Sequence, residues 1–300
     1  MNQNTQHQLA EQDSLAKVAE DKSIGNIITQ ANKLSADQLN AILAHQRETG
    51  KRFGESAVDL GLASSSDVIW ALSQQYDYPY RNNASELSDE LVVANEPFSD
   101  HSERFRDLRS QILIRLAPAD EQAQKLGQII AVVSTNRGDG KTFVAANLAI
   151  SLAQLGGRVA LVDSDMRNAR VQSLFRIPER QTGLSEALSG RAEAGLCVPS
   201  PEFANLYVLP SGVIPPNPQE LVERPAFSML MTELRSKFDY VIVDTPAAEV
   251  GIDCVSIASK CQQLLFVVRA GANTAKDVKQ LQKFCARARA QVLGTILNDY

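Results

Sequence analysis

The stretch from Gln128 to Asn147, QIIAVVSTNRGDGKTFVAAN, constrains the fold more than any other part of the chain. An apolar run suited to a buried strand stops at Ser134, a glycine-bearing loop follows, and Lys141-Thr142 open a segment with helical spacing. Strand, phosphate-binding loop and helix in that order make a ready anion site. Glycines at 138 and 140 let backbone N–H groups turn toward a phosphate without a Cβ in the way, and the positive end of the new helix points at the same anion. Lys141 then reaches the β- and γ-phosphates, and the Thr142 hydroxyl holds Mg2+. The general pattern G-x-x-x-x-G-K-[ST] wants glycine at 135, where this chain has Thr135, so an ordinary GKT turn is the alternative for the loop taken alone.

Two further stretches favour the phosphate reading. Residues 158–167, RVALVDSDMR, form an apolar strand ending in Asp163, Asp165 and Arg167; residues 239–246, DYVIVDTP, form another ending in Asp244. In an open parallel α/β sheet ligands bind at the carboxyl ends of the strands, so the three aspartates can converge beside Lys141. A single aspartate there is commonly a helix cap; three in this order point to a metal and a γ-phosphate. From Gln128 onward strands are predicted near 128–134, 158–163, 205–210, 239–244, 262–269 and 293–298, with helices near 142–155, 183–189, 217–236 and 274–289. The expected class is α/β: a mainly parallel sheet covered by helices on both faces, preceded by a small all-α domain.

Three hundred residues suggest two domains, or one with appendages. The formal charge of −5 and the absence of a basic tail argue against a nucleic-acid binder, so phosphate affinity must be local. No apolar run approaches the roughly 20 residues that cross a bilayer, and the N-terminus MNQNTQHQLAEQDS is polar, unlike a signal peptide; a cytoplasmic location is expected. Cys197, Cys254, Cys261 and Cys285 form no C-x-x-C pair and read as reduced, structural thiols.

Residues 1–22 read as a mobile leader. From 23 to 80 the chain repeats itself: Ile24-Gly25, Leu39, Leu43 and Gln46 recur 29 positions later as Phe53-Gly54, Val68, Leu72 and Gln75. Each copy is a short helix, a turn and a second helix that Ser35 or Ser64 to Ser66 can cap. Residues 81–100 are polar, contain a proline and read as a linker, followed by a helix from about 101. On that helix Glu103, Arg106 and Arg109 fall three apart and are expected on one face, opposite Phe105, Leu108, Ile112 and Leu116.

The duplicated part, closing on Tyr78-Pro79-Tyr80, resembles the N-terminal domain of type II secretion ATPases. That family uses the domain to dock partners, and a subset binds cyclic di-GMP through an Arg-Leu-Gly…Gln signature. The second copy carries Arg52-Phe53-Gly54 and the first Ser23-Ile24-Gly25. Docking is therefore the expected role, with dinucleotide binding as the alternative.

Residues 101–300 are similar to bacterial tyrosine kinases (BY-kinases) of the polysaccharide chain-length-determinant group, EpsG type, in which the kinase is separate from its transmembrane activator. The matching residues are Glu103, Arg106 and Arg109 for an oligomerising E-x-x-R-x-x-R motif, the loop 134–142, Asp163 to Arg167 for D-x-D-x-R, and Asp244-Thr245-Pro246 for Walker B. Leu209-Pro210 with Pro215-Pro216-Asn217-Pro218 and Glu220-Leu221 match a further segment, as do Arg269, Gly271, Thr274 and Leu297-Asn298 near the end. Asn136-Arg137, Ala169 and Gln172 depart from the family pattern.

The resemblance implies an ATP-dependent protein tyrosine kinase that regulates exopolysaccharide polymerisation, chain length and export. ATP would be held by Gly138, Asp139, Gly140, Lys141, Thr142, Phe143 and Asn298, and Mg2+ by Thr142, Asp165 and Asp244. Asp163 would accept the tyrosyl proton, and Arg167 would anchor the acidic cluster or meet the transferred phosphate. Implied partners are a transmembrane activator, further copies in a ring through Glu103, Arg106 and Arg109, and tyrosine substrates, with the chain peripheral at the inner membrane. The alternatives are an ATP-gated assembly switch without kinase activity and a ParA/MinD-like positioning ATPase; Asn136 stands where the latter carry a second lysine. The sequence ends at Tyr300 without a tyrosine-rich tail, and Tyr207 and Tyr240 fall in or beside apolar strands. Autophosphorylation is accordingly expected to be weak and confined mainly to Tyr300. Mass spectrometry after incubation with ATP, Mg2+ and the activator tail checks this, and dense modification of Tyr76, Tyr78 and Tyr80 is the contrary result.

Overall fold

The computed structural model describes residues 23–75, 87–117, 126–178, 180–191, 196–286 and 290–299. The leader at 1–22, the linker residues 81–86, Tyr76, Tyr78, Tyr80 and Tyr300 lie outside them. The chain divides into two compact units, Met1–Ala84 and Ser85–Tyr300.

The first unit holds α1 (Ile24–Ala31), α2 (Ala36–Thr49), α3 (Phe53–Asp59) and α4 (Ser65–Gln75). The duplication is visible in its packing. Fully buried Ile28 and Ile42 are matched 29 positions later by fully buried Ala57 and Ala71. Both second helices start with the same reciprocal cap. The Gln38 amide donates to Ser35 Oγ at 3.3 Å and the Ser35 amide to Gln38 Oε1 at 2.8 Å; in the second copy the Asp67 amide donates to Ser64 Oγ at 3.1 Å and the Ser64 amide to Asp67 Oδ2 at 2.7 Å. Gly54 is where α3 and α4 touch: a Cβ there would lie 2.5 Å from Val68 Cγ1.

The second unit opens with α5 (Val92–Asn95) and α6 (Asp100–Leu116). Strand and helix then alternate through β1 (Gln128–Val133), α7 (Lys141–Ala153), β2 (Val159–Asp163), α8 (Val171–Leu174), α9 (Leu184–Leu188), β3 (Val198–Pro199) and β4 (Leu206–Leu209). The remainder is α10 (Pro218–Glu223), α11 (Pro225–Lys237), β5 (Tyr240–Asp244), α12 (Asp253–Ala258), β6 (Gln263–Arg269), α13 (Ala275–Ala286) and β7 (Gln291–Asn298). The strands form one seven-stranded sheet in the order β3-β4-β2-β5-β1-β6-β7, parallel except for β3. Along β1, Ile130 and Val132 enter one core with Leu148 and Ile150 of α7, while Ile129, Ala131 and Val133 enter the other with Phe227 and Phe266. A strand apolar on both faces needs helices on both, which is the α/β arrangement expected.

The predicted elements are present with three differences. The helix expected over 217–236 is two helices, because Pro225 lacks an amide hydrogen and pushes Arg224 to an extended ψ of 150°. The helices α5, α8 and α12 span six residues or fewer, too short to carry a readable period. β3 is a two-residue edge strand that pairs antiparallel with β4.

Two sequence readings need correction. Residues 87–99, assigned to a linker, fold against the α/β unit. Leu87, Leu91 and Val93 are buried, the Ser88 amide donates to the Leu174 carbonyl at 3.1 Å, and Asn147 of α7 bonds this segment on both sides. Its side chain accepts from the Val93 amide at 3.0 Å and donates to the Glu90 carbonyl at 2.8 Å. Second, Glu103, Arg106 and Arg109 do not share a face. Each three-residue step turns a helix by about −60°, so Arg109 lies about 120° from Glu103 and beside the core position Ile112. Arg109 is only 7% exposed and donates to the Ser151 carbonyl at 2.7 Å, while Arg106 is occupied by Glu103 and the Pro97 carbonyl. The arginine at 109 is a strut between α6 and α7.

Replacing Asn147 by Ala would remove the partner of the part-buried Glu90 carbonyl and orphan the buried Val93 amide, the latter a loss of about 1–3 kcal/mol. The Val93 amide is therefore expected to exchange with solvent much faster in Asn147→Ala. Exchange followed by mass spectrometry checks this; unchanged protection over 87–95 would show that the segment is held by its apolar residues alone.

Candidate functional site

The site is assembled by strand register. Asp163 at the end of β2 pairs directly with Asp244 at the end of β5, and Asp244 pairs in turn with Val132 of β1, the strand that feeds the glycine loop. Two carboxylates are thus fixed side by side next to the N-terminus of α7. Thr142 Oγ1 donates to Asp244 Oδ2 at 2.7 Å, and Lys141 Nζ donates to Ser134 Oγ at 2.9 Å and to the Asn136 carbonyl at 3.4 Å.

The loop itself is braced from both ends. Gly138 and Gly140 take positive φ values of 78° and 98°, and a Cβ at Gly140 would fall 2.3 Å from Asn298 Nδ2. Asn298 donates to the Asp139 carbonyl at 2.9 Å. The Asp139 carboxylate turns inward, accepting from the Asn136 amide at 2.8 Å and from Asn273 Nδ2 at 3.1 Å. Asn273 also donates to Thr135 Oγ1 at 3.0 Å, so the threonine that replaces the pattern's first glycine is used as an anchor. The Asp139 carboxylate therefore shapes the loop. Asn298, expected at the adenine, both holds the loop and lines the adjoining cavity.

That cavity, of about 500 Å3, is lined by Lys141, Thr142, Phe143, Asp165, Arg170 and Asn298 among others. Of the sequence-predicted residues, Gly138 and Gly140 also line it; Asp139, Asp163, Arg167 and Asp244 do not. Asp163 has zero exposure, and both its oxygens are engaged by backbone amides: Asp165 at 3.2 Å, Arg170 at 3.1 Å and Val171 at 3.0 Å. Asp163, expected to take a tyrosyl proton, uses its carboxylate to organise the turn after β2, and the aspartate of the D-x-D-x-R stretch that lines the cavity is Asp165. Arg167 turns the other way, its Nε donating to Asp253 Oδ2 at 2.7 Å at the start of α12.

Burial dominates the electrostatics. It raises Asp163 well above the usual carboxylate range, with the neighbouring Asp244 charge adding to the effect. It raises Asp244 to about 7, partly offset by the Thr142 hydrogen bond and the Lys141 charge. Asp244 Oδ1 is buried without a hydrogen-bond partner. An orphaned carboxylate oxygen beside a threonine hydroxyl fits Mg2+, which takes one or two protein oxygens and completes its shell with water and phosphate. Among the described residues no cluster of three His, Cys, Asp or Glu could hold a metal without such help.

Glu90, Asn147, Arg170, Asp253 and Asn273 had no place in the sequence reading. Arg170, three residues beyond the D-x-D-x-R arginine, carried the one usable hint.

The sheet order, the loop and the strand-end aspartates define a P-loop ATPase-like domain. Residues 127–296 match the family model described as an AAA domain. The chain is 36% identical over 173 residues to the tyrosine-protein kinase CpsD of Streptococcus pneumoniae serotype 4, covering 57% of this chain and 75% of that protein. The kinase domain of the Escherichia coli tyrosine kinase ETK superposes with a TM-score of 0.65 at 28% identity, covering 73% of this chain and 82% of that one. The septum site-determining protein MinD of Pyrococcus horikoshii, complexed with Mg-ADP, matches with a TM-score of 0.52 at 26% identity over 58% of this chain and 71% of its own. The chain belongs to the family of bacterial tyrosine-protein kinases.

The raised Asp244 pKa gives a pH signature. A carboxyl whose folded pKa lies above its unfolded value stabilises the fold below about pH 4 and loses that contribution as pH rises toward about 7. In the metal- and nucleotide-free protein, Asp244→Asn should therefore raise the melting temperature at about pH 8 and flatten its decline from about pH 5. Thermal unfolding scans across that range check the sign; a variant that melts lower than wild type at high pH contradicts it.

Proposed function

We propose that the chain uses Mg·ATP to phosphorylate tyrosine on another protein of an exopolysaccharide pathway, under the control of a transmembrane chain-length-determinant partner. The observation that carries this reading is the convergence of Lys141, Thr142 and Asp165 at one cavity, with buried Asp244 bonded to Thr142 behind its wall, in a chain whose relatives are tyrosine-protein kinases. Lys141 and the amides around Gly138 and Gly140 bind the phosphates, and Phe143 and Asn298 border the nucleoside. Thr142 and Asp244 hold Mg2+, directly or through water, with Asp165 supporting it. The metal supplies charge neutralisation at the β- and γ-phosphates.

Phosphoryl transfer asks for positioning and charge neutralisation more than covalent help. A tyrosyl hydroxyl has a pKa near 10, so a carboxylate acts by orienting it and taking its proton late. Asp165, which lines the cavity with Thr142, is the carboxylate assigned that task. Asp163 positions it through the Asp165 amide, and Arg167 steadies the same turn through Asp253.

The helical unit acts as a docking module. Self-association, with Arg109 committed within its own unit, uses the outer face of α6, where Glu103, Arg104 and Asp107 are exposed. Attachment to the membrane runs through the partner: among the described residues no helix is long and apolar enough to cross a bilayer.

Three variants separate these roles. Lys141→Met should abolish transfer and strongly weaken ATP binding. Asp165→Asn should keep binding and lose roughly 10²-fold or more in transfer. Asp163→Asn should lower thermal stability together with transfer. Label from γ-labelled ATP, read beside calorimetric binding, checks all three; wild-type transfer by Asp165→Asn with loss only in Asp163→Asn would return the proton-accepting role to Asp163.

A further inference from the structure

Arg170 lies outside the motifs that define the site, yet its position ties it to the reacting end of the cavity. Its amide hydrogen bonds Asp163 Oδ2, which fixes its backbone at the end of β2. Its side chain lines the cavity with Thr142, Asp165 and Asn168, close enough for its charge to act on Asp244. The guanidinium also pairs with Glu90, Nη2 to Oε1 at 2.5 Å, and the two side chains are 46% and 40% exposed. An ion pair this exposed is weak and exchanges readily. A phosphate presents the same guanidinium with more charge and two oxygens in the matching fork geometry. Glu90 is meanwhile held in place, because Asn147 bonds its carbonyl and the following turn from α7, the helix that begins at Lys141.

We propose that Arg170 grips the γ-phosphoryl group during transfer, and that Glu90 competes with that group for the same guanidinium, so that the pair sets the preference for ATP over ADP. The inference rests on the cavity being the ATP site. In the step itself the Pγ–O bond to ADP breaks, a Pγ–O bond to the tyrosyl oxygen forms, the hydroxyl proton passes to a carboxylate and ADP leaves. Charge on the γ-oxygens persists throughout, and Arg170 lines the same cavity as Lys141. The position has a specificity consequence: ADP has no γ-phosphoryl group, so it gains nothing from Arg170.

The test uses the full chain with Mg2+ and measures calorimetric affinities for ADP and for a non-hydrolysable ATP analogue, together with kcat for transfer to tyrosine. Arg170→Ala keeps the backbone amide that Asp163 needs. It should leave ADP affinity within about threefold, lower the ATP-to-ADP affinity ratio about tenfold and reduce kcat by roughly 10²-fold, the scale of losing one transition-state donor. Arg170→Lys should recover part of kcat, and Glu90→Gln should raise the ATP-to-ADP ratio severalfold. Equal weakening of both nucleotides by Arg170→Ala, or kcat within about twofold of wild type, would overturn the proposal and leave Arg170 a structural residue. Failure of the unmodified chain to bind either nucleotide would overturn the site reading as well, and is a distinguishable result.

Discussion

The register between β2 and β5 puts two carboxylates, Asp163 and Asp244, in adjacent positions under near-complete burial. Two neighbouring buried anions are costly, and much of the surrounding structure answers that cost. Three backbone amides converge on Asp163, and Thr142 and Lys141 attend Asp244. Lys141 can do so because the glycine loop turns back at Gly138 and Gly140, and that loop is pinned by Asn298 at the end of β7 and by Asn273 after β6. The strain of holding these charges together is what makes the place receptive to a divalent cation and a polyphosphate. On the reading proposed above, binding and catalysis use the same charges that the fold must tolerate.

What was legible in the sequence was local. The apolar run before Ser134, the glycines and the GKT triplet are contiguous, and each aspartate announces itself by ending an apolar strand. The sheet followed from the alternation of strand and helix, and the 29-residue repeat led directly to the paired caps at Ser35 and Ser64. What could not be read are contacts between distant positions: Asn147 with Val93, Arg167 with Asp253, Asn273 with Asp139. Residue type alone does not say which polar group a buried amide will meet. Two errors were avoidable from elementary geometry. Pro225 forbids an unbroken helix over 217–236, and a 3-3 spacing drifts around a helix and does not stay on one face. The surroundings of Asp163 were hidden for a subtler reason: a strand-end position fixes where a carboxylate starts, while the following turn decides which amides engage it.

The helical unit and the α/β unit differ in how their sequences specify them. The first is written twice, with Ile28 and Ile42 replaced in the second copy by Ala57 and Ala71 and the space taken up by a close approach at Gly54. The second unit extends upstream of the sheet through the segment at 87–99, which reaches the cavity wall with Asp89, Glu90 and Val92.

The central claim is that the buried carboxylates and the glycine loop direct the γ-phosphoryl group to a tyrosyl oxygen and not to water. Phosphoamino-acid analysis tests it most directly: the full chain is incubated with γ-labelled ATP, Mg2+, a cytoplasmic fragment of the membrane partner and membrane-pathway proteins, and the labelled protein is hydrolysed in acid. Label in phosphotyrosine, absent from the Lys141→Met control, is the predicted result. Label released only as inorganic phosphate, with none on tyrosine, would contradict the account and make the chain an ATPase.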